Sequence, residues 1–304
     1  MKKITVFTPT YNRAYTLIML YQSLLRQSNF DFEWLIIDDG STDNTKELVE
    51  NWQEHKNPFE IRYYKTENGG KPRAINKALE LVQCPYIFII DSDDYFTDEA
   101  LAFLLERVKE LEEDTELVGI GILRGFNESE AFGKANFSTN IFIDANNLER
   151  EKFGLNFECN ELYKVEILKN YPFEVWEGET FSPEEIVLNE MALQGYKVRW
   201  YNKVGVISEY LEDGLTVNAF DLIKKNPIGY AMLFNHQLKY KTTFKEKFNA
   251  AYLMVCYSVI GKNLSYILRS NSLFVTLLSF PIGLLVARRR KKQFEHALCQ
   301  SPRH

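Results

Sequence analysis

The chain is 304 residues long, enough for one large α/β domain with an appendage or for two modest domains. Hydrophobic residues make up 45% of it and aromatics 14%, with nine scattered prolines, which excludes a disordered or fibrous chain. A net charge of −6, a pI near 5.5 and the lack of a basic stripe along the first two hundred residues argue against nucleic acid as a partner. Cys84, Cys159, Cys256 and Cys299 lie far apart without a CxxC pair, so neither a disulfide framework nor a thiolate metal site is expected, and a reducing compartment fits best. The apolar run in MKKITVFTPTYNR is too short for a signal peptide and reads as a strand.

Over the first hundred residues or so, short β-branched runs alternate with amphipathic stretches, the pattern of βαβ units and a parallel sheet. Strands are predicted at Lys3–Thr8, Glu33–Asp38, Ile61–Lys65 and Tyr86–Ile90. Helical spacing of Leu17, Leu20, Tyr21, Leu24 and Leu25, then of Leu48, Val49 and Trp52, then of Ala74, Ile75, Ala78, Leu79 and Val82 supplies the crossovers. The polar segments Thr10–Arg13, Asp39–Asp43, Glu67–Arg73 and Asp91–Asp94 therefore fall past the carboxyl ends of strands, where open α/β sheets bind ligands. Farther on, strands are expected at Leu117–Leu123, Asn140–Ile143 and Lys197–Ile207, with a helix opening at Ser182. Beyond Val217 the chain turns helical.

IIDSDD, Ile89 to Asp94, puts three carboxylates at the end of a buried strand, where they repel one another unless a cation joins them. Mn2+ or Mg2+ suits such oxygens and keeps coordination positions for a diphosphate. Alone, the triplet also fits a turn, or an N-cap by Asp94 or Asp98 for the helix of Leu101, Leu104 and Leu105. In IIDDGSTDNT, Ser41 or Asp43 suits a helix cap, which leaves Asp39 to accept a hydrogen bond from a uracil-like base. TPTYNR offers a backbone fixed at Pro9, a stacking plane at Tyr11 and polar groups at Asn12 and Arg13. In ENGGKPR the glycines Gly69 and Gly70 let backbone approach a ligand, and Lys71 and Arg73 balance phosphate charge. Each of these also reads as a plain surface turn. Neither the GxGxxG nor the GxxxxGK[ST] spacing is present, so a nicotinamide dehydrogenase or a P-loop enzyme is unsupported.

As a set, TPTYNR, IIDDGSTD, ENGGKPRAIN and IIDSDD make the chain resemble the nucleotide-binding half of family 2 glycosyltransferases, closely over about its first 110 residues. That resemblance implies a glycosyltransferase-A (Rossmann-like) α/β fold, a mostly parallel sheet flanked by helices, here with a helical C-terminal region. It implies inverting transfer of a hexosyl or N-acetylhexosaminyl group from a nucleotide-diphosphate donor, UDP being the expected nucleotide. Pro9, Tyr11, Asp39, Asn68 and Arg73 would contact the nucleotide, with Asn12, Arg13, Gly69, Lys71 and Ser92 completing the donor site. Asp91 and Asp93 would bind ribose, metal or both, Asp94 being a third member. The base comes from a downstream acidic pair in GETFSPEEIVLNEMA: Glu185 first, Glu184 next, then Glu179 and Glu177. Ser182, Pro183 and Glu185 equally fit a capping box. EYLEDGLT, Glu209 to Thr216, resembles a segment after the catalytic domain of bacterial relatives that build surface polysaccharides, and DGLT is also a good turn.

The expected organisation is a catalytic domain over 1–215, with a nucleotide-binding half (1–110) and an acceptor half (111–215), then a helical region over 216–304. In that region SLFVTLLSFPIGLLVARRRKK, Ser272 to Lys292, holds an apolar stretch of about sixteen residues against the roughly 20 of a bilayer-spanning helix. A helix lying in the membrane interface with a cationic end is expected, against the alternative of a buried packing helix with a basic tail. The full expectation is a bacterial enzyme, cytoplasmic and peripheral on the inner face of the cell membrane. It would extend a glycan or polyprenyl-linked acceptor for capsule, exopolysaccharide or cell-wall glycan. A nucleotidyltransferase and a non-catalytic membrane-associated scaffold are the alternatives. His236 is expected to be structural, His55 and His296 to lie at the surface.

Overall fold

Every residue of β1 (Ile4–Thr10) and β2 (Phe32–Asp38) is buried, as apolar runs such as FEWLII require of strands covered on both faces. Helix α1 (Ala14–Leu25) carries the chain between them, so β2 pairs parallel to β1. In the computed structural model, residues 2–135, 137, 141–208 and 219–300 are described. Helix α2 (Thr45–Glu54), β3 (Glu60–Lys65), α3 (Lys71–Leu81) and β4 (Tyr86–Ile89) repeat the unit. β3 adds parallel to β2, and β4 adds parallel to the other side of β1. The strand order therefore reverses at the β1/β4 boundary, a topological switch point with a crevice at its carboxyl end.

Next come β5 (Asp94–Phe96), α4 (Ala100–Glu113), β6 (Leu117–Asn127), β7 (Glu130–Ala131), β8 (Gly133–Ala135) and β9 (Phe142–Ala145). β10 (Leu155–Phe157), β11 (Cys159–Lys164), α5 (Val165–Leu168), α6 (Glu185–Leu193) and β12 (Lys197–Ser208) follow. The main sheet runs β3-β2-β1-β4-β11-β6-β12-β5. Its first four strands are parallel; β11 enters antiparallel to both β4 and β6, and the sheet is mixed from there. Alternation along β1 sends Ile4 and Val6 to one face, against Leu17, Leu20, Trp34 and Trp52, and Phe7 to the other, against Ala74, Ile75 and Ala78. Tyr21 stacks on Trp52 with ring centroids 4.3 Å apart.

Two compact units emerge: Met1–Phe173 with Val187–Tyr210, and Glu174–Ile186 with Leu211–His304. The second contains α7 (Ala219–Lys225), α8 (Pro227–Gln237), α9 (Phe244–Ile260) and α10 (Leu273–Gln300). Thr243 and Glu246 form a reciprocal capping box that starts α9. The helix expected from Ser182 begins at Glu185 instead. An opening turn precedes it, in which Ile186 N–H donates to Pro183 O at 3.2 Å, and before that turn Thr180 and Phe181 N–H both donate to Asn226 Oδ1, at 2.8 and 2.9 Å. Among the described residues no helix is long and apolar enough to cross a membrane. Glu209–Thr216 lies outside them.

One charge inside the sheet is an outlier. Glu33, 3% exposed, pairs with Arg62 at 3.1 Å and accepts from the Thr5 hydroxyl at 2.7 Å. Removing one partner of a buried pair strands the other, at a cost of about 3 kcal/mol or more. Arg62→Ala is therefore expected to destabilise the chain by about 3 kcal/mol in urea denaturation, and Glu33→Leu with Arg62→Leu to recover most of that loss.

Candidate active site

The loops beyond β1, β2 and β3 are tied together by side chains of the motifs themselves. Asn12, at φ 52°, accepts from Thr42 N–H at 2.7 Å, while its own N–H donates to Ser41 Oγ at 2.8 Å. Asp43 accepts from Ala14 N–H at 3.1 Å and from the Thr45 hydroxyl at 2.6 Å. Burial raises the Asp43 carboxyl, and these donors outweigh it and hold the group below its ordinary range. Asp38 accepts from Ser41 N–H at 2.7 Å and from the Tyr63 hydroxyl.

Asp39 joins the second loop to the third. Its two oxygens accept from Gly69 and Gly70 N–H, each at 2.7 Å, and Asn68 Nδ2 donates to its carbonyl at 2.9 Å. Gly40 is required at this junction. Its φ is +85°, and a Cβ there would stand 2.9 Å from Asn68 N. The paired glycines thus approach Asp39, and the Asp39 oxygens offer a ligand only the lone pairs that these bonds leave. Burial, ahead of the lowering by the two glycine N–H groups, raises the Asp39 carboxyl.

Just past β4, at the switch point, Asp91 pairs with Lys71 at 2.7 Å and lies 3.7 Å from Arg124. Arg124 also meets Asp94 at 2.8 Å and Asn160 Oδ1 at 3.2 Å, and Asn160 Nδ2 donates to Ile89 O at 3.1 Å. The Ser208 hydroxyl donates to Asp94. Much of the cationic charge demanded by three adjacent carboxylates is therefore supplied by Lys71 and Arg124. Burial opposes ionisation of Asp91, and the two cations override it and lower its carboxyl. Asp93 is raised by burial and by the Asp91 charge. Asp94 is pushed up to about 7, chiefly by burial.

Around this cluster Pro9 is buried within β1, Ser92 is buried, and Tyr11 is 48% exposed. The Arg13 guanidinium lies 5.8 Å from the Tyr15 ring centroid, and Arg73 donates to Gly69 O. Arg124, Asn160 and Ser208 were not singled out from the sequence. A lone arginine inside the apolar run of LVGIGILRGF was the available signal, since a charge at a buried strand position needs partners.

Among the downstream acids, Glu179 is 6% exposed and accepts from Ile228 N–H at 2.6 Å and Gly229 N–H at 2.8 Å, capping the start of α8. Glu184 is half-buried and Glu185, the first residue of α6, is exposed; both belong to the 174–186 segment of the second unit. His236 is buried beside Tyr240, and His55 is exposed, its Nδ1 2.6 Å from Asn51 O.

The model of the family described as Glycosyl transferase family 2 matches residues 5–171, more than half of the chain and all of the loops above. The chain belongs to glycosyl transferase family 2. It is 26% identical over 218 residues to Glycosyltransferase GlyA of Streptococcus pneumoniae, covering 65% of this chain and 31% of that one. It is 24% identical over 214 residues to the poly(ribitol-phosphate) beta-N-acetylglucosaminyltransferase TarS of Staphylococcus aureus, covering 69% of this chain and 35% of that one. The chain thus spans about a third of the length of these two relatives. In fold it is similar to S. aureus TarS 1–349 in complex with UDP-GlcNAc, with a TM-score of 0.60, 16% identity and coverage of 97% of this chain and 92% of that one. A mannosyltransferase from Pyrobaculum calidifontis in complex with GDP-Man and Mn2+ aligns with a TM-score of 0.54 at 18% identity, covering 96% and 83%. The fold of this family 2 chain is accordingly glycosyltransferase-A.

Two outcomes follow for the family 2 site. Asp39→Ala leaves two backbone N–H groups without their acceptor and is expected to lower stability by about 2–3 kcal/mol in urea denaturation, with Asp39→Asn losing less. The folded chain holds the Asp94 proton more tightly than the unfolded chain, whose carboxyl titrates near 3.8. This contribution is full below that value and is lost as pH rises through about 7. Thermal stability should therefore fall between pH 5 and pH 8 more steeply in the native chain than in Asp94→Asn, which mimics the protonated acid.

Proposed function

We propose that this family 2 chain transfers a sugar, with inversion, from a UDP-linked donor to a glycan or polyprenyl-linked acceptor in the synthesis of a bacterial surface or cell-wall polysaccharide. The observation that carries this reading is the grouping of Asp91 and Asp93 with Lys71 and Arg124 beyond β4, at the switch point of a glycosyltransferase-A sheet. Similarity to TarS and to the putative teichuronic acid biosynthesis glycosyltransferase TuaG of Bacillus subtilis supports the polysaccharide assignment. A polyprenyl-linked acceptor would be met at the cytoplasmic face of the membrane.

The donor's nucleotide is assigned to the loops of Pro9–Arg13, Asp39 and Asn68–Arg73, with Tyr11 as the exposed ring able to stack on a base and Arg13 and Arg73 as charges facing phosphate. Asp91, Asp93 and Ser92 would meet the ribose and diphosphate. Mn2+ or Mg2+ fits the cluster: the donors are carboxylate oxygens, and Asp93 is destabilised as an anion by burial and by Asp91 beside it. Among the described residues no three side chains of metal-ligating type are grouped for an ion. Asp93 and Asp91 would hold it together with phosphate oxygens, the usual arrangement for these hard cations. When bound, the metal neutralises charge developing on the leaving diphosphate.

Attack on the anomeric carbon requires removal of the acceptor hydroxyl proton, and Glu185 is assigned as that base on the family resemblance, with Glu184 as its neighbour in the pair. The catalytic role is given to the region up to residue 215, with 216–304 as an attached helical region.

A thermal-shift panel of UDP- and GDP-sugars, with Mn2+ or with EDTA, tests the reading. A UDP-sugar should raise the melting temperature more with Mn2+, and Asp93→Asn should lose that metal-dependent increment. Glu185→Gln should bind donor normally and transfer sugar at least roughly 100-fold more slowly. If no nucleotide sugar shifts melting with or without metal, the proposal fails.

A further inference from the structure

Helix α10 is assembled with its polarity inverted. Four of the residues it buries are small or polar, Thr276, Ser279, Gly283 and Ala287, beside the larger Val275 and Phe294. A Cβ at Gly283 would stand 2.5 Å from Val255 of α9 and 2.9 Å from Tyr252 O, so the two helices touch backbone to side chain there. Thr276 Oγ1 donates to Ser272 O and Ser279 Oγ to Thr276 O, at 3.0 Å each, and Thr276 Oγ1 also meets Ser270 Oγ at 2.7 Å, so both hydroxyls are satisfied locally.

The large side chains face the other way. Phe274 is 78% exposed, Leu277 55%, Leu278 52%, Ile282 42% and Leu285 62%. With 3.6 residues per turn, Phe274, Leu277, Leu278, Ile282 and Leu285 fall within an arc of roughly 140°. Arg288, Arg289 and Lys292, all exposed, continue the same arc toward the C-terminus. Single exposed leucines are ordinary, but an unbroken stripe of five large apolar groups running into three cations on one face is not.

We propose that this outer face of α10 lies flat in the interface of an anionic lipid bilayer, with Phe274, Leu277, Leu278, Ile282 and Leu285 among the acyl chains and Arg288, Arg289 and Lys292 against lipid phosphates. The proposal rests on the membrane-side reading of the acceptor for its purpose, though its physics does not depend on sugar transfer. Length sets the orientation. From Leu273 to Val286 the apolar part rises about 21 Å at 1.5 Å per residue, short of a hydrocarbon core of about 30 Å, so the helix cannot span and its stripe is satisfied only by lying in the plane. Charge sets the lipid: three cations at the end of an apolar stripe are complementary to a phosphatidylglycerol surface, which offers acyl chains and phosphates side by side.

The test is flotation of the full chain with vesicles of phosphatidylcholine containing 30–40% phosphatidylglycerol, and with vesicles of phosphatidylcholine alone. The native chain should float with the anionic vesicles and release as salt is raised. Phe274→Ser with Leu278→Ser and Leu285→Ser should abolish flotation, and each of Arg288→Ala, Arg289→Ala and Lys292→Ala should weaken partitioning about fivefold. These side chains are exposed, so melting temperatures should hold, and Phe153→Ser, an exposed change elsewhere, should float as the native chain does. Failure of the native chain to float, flotation unchanged in the triple variant, or a solution dimer that the triple variant dissolves would each overturn the proposal. Because flotation needs no donor, its failure would leave sugar transfer standing, and an inactive chain that floats would leave the docking face standing.

Discussion

The arrangement at the switch point depends on one partly buried guanidinium, that of Arg124. Asp91 and Asp94 both stand within reach of Arg124, and Lys71 closes the other side of Asp91. Three neighbouring carboxylates at a strand end would otherwise repel one another in a poorly solvated place, and part of the cluster would have to take up protons or turn outward. With Arg124 held by Asn160, which is itself bonded to the Ile89 carbonyl, the charge is anchored to the end of β4. The sheet path explains how this is done: β11 lies between β4 and β6, so Asn160 on β11 bridges from Arg124 on β6 to the carbonyl at the end of β4. Asp93 is also disfavoured as an anion, raised by burial and by Asp91, so that added positive charge would favour its ionised form.

The loops around that cluster owe their shape to short-range locks between motifs. Ordering a loop residue costs about 1–2 kcal/mol in backbone entropy, so loops of this length need dense local bonding to keep one conformation. Asn12 holds the first loop to the second, and Asp39 holds the second to the third. Several side chains that look like ligand contacts are thus partly or wholly devoted to holding backbone. Tyr11, by contrast, stands half exposed at this rim.

What the sequence made legible follows from periodicity. Four strands and three crossovers were readable because β-branched runs and helical spacing alternate cleanly, and the placing of all four motifs beyond strand ends follows from that alone. The entry of β11 was not readable, because CNELYK has no apolar run or strict alternation to announce a strand between β4 and β6. Nor was the role of Arg124, whose partners are distant in sequence at Asp91 and Asn160 and meet it only through sheet pairing. The turn that opens α6 was readable from Ser182 and Pro183, whereas the tie of Asn226, more than forty residues on, to the backbone just before them was not. For α10, mean apolarity along the helix was plain from sequence, while which side faces out depended on Gly283 packing against Val255.

Three acids of the 179–185 stretch differ in what their positions let a carboxylate do. A general base must reach the proton it removes and must have lone pairs to receive it. Glu179 is buried and both of its oxygens accept backbone N–H groups at the start of α8, so moving it would leave two buried donors unpaired and uncap that helix. Its candidacy falls on those grounds. Glu185 stands at the first position of α6 and is exposed, where its carboxylate is favoured by the helix's N-terminal dipole. Glu184, one residue before the helix and half-buried, is the more constrained of the pair. Position on the helix, rather than acidity, is what separates the two.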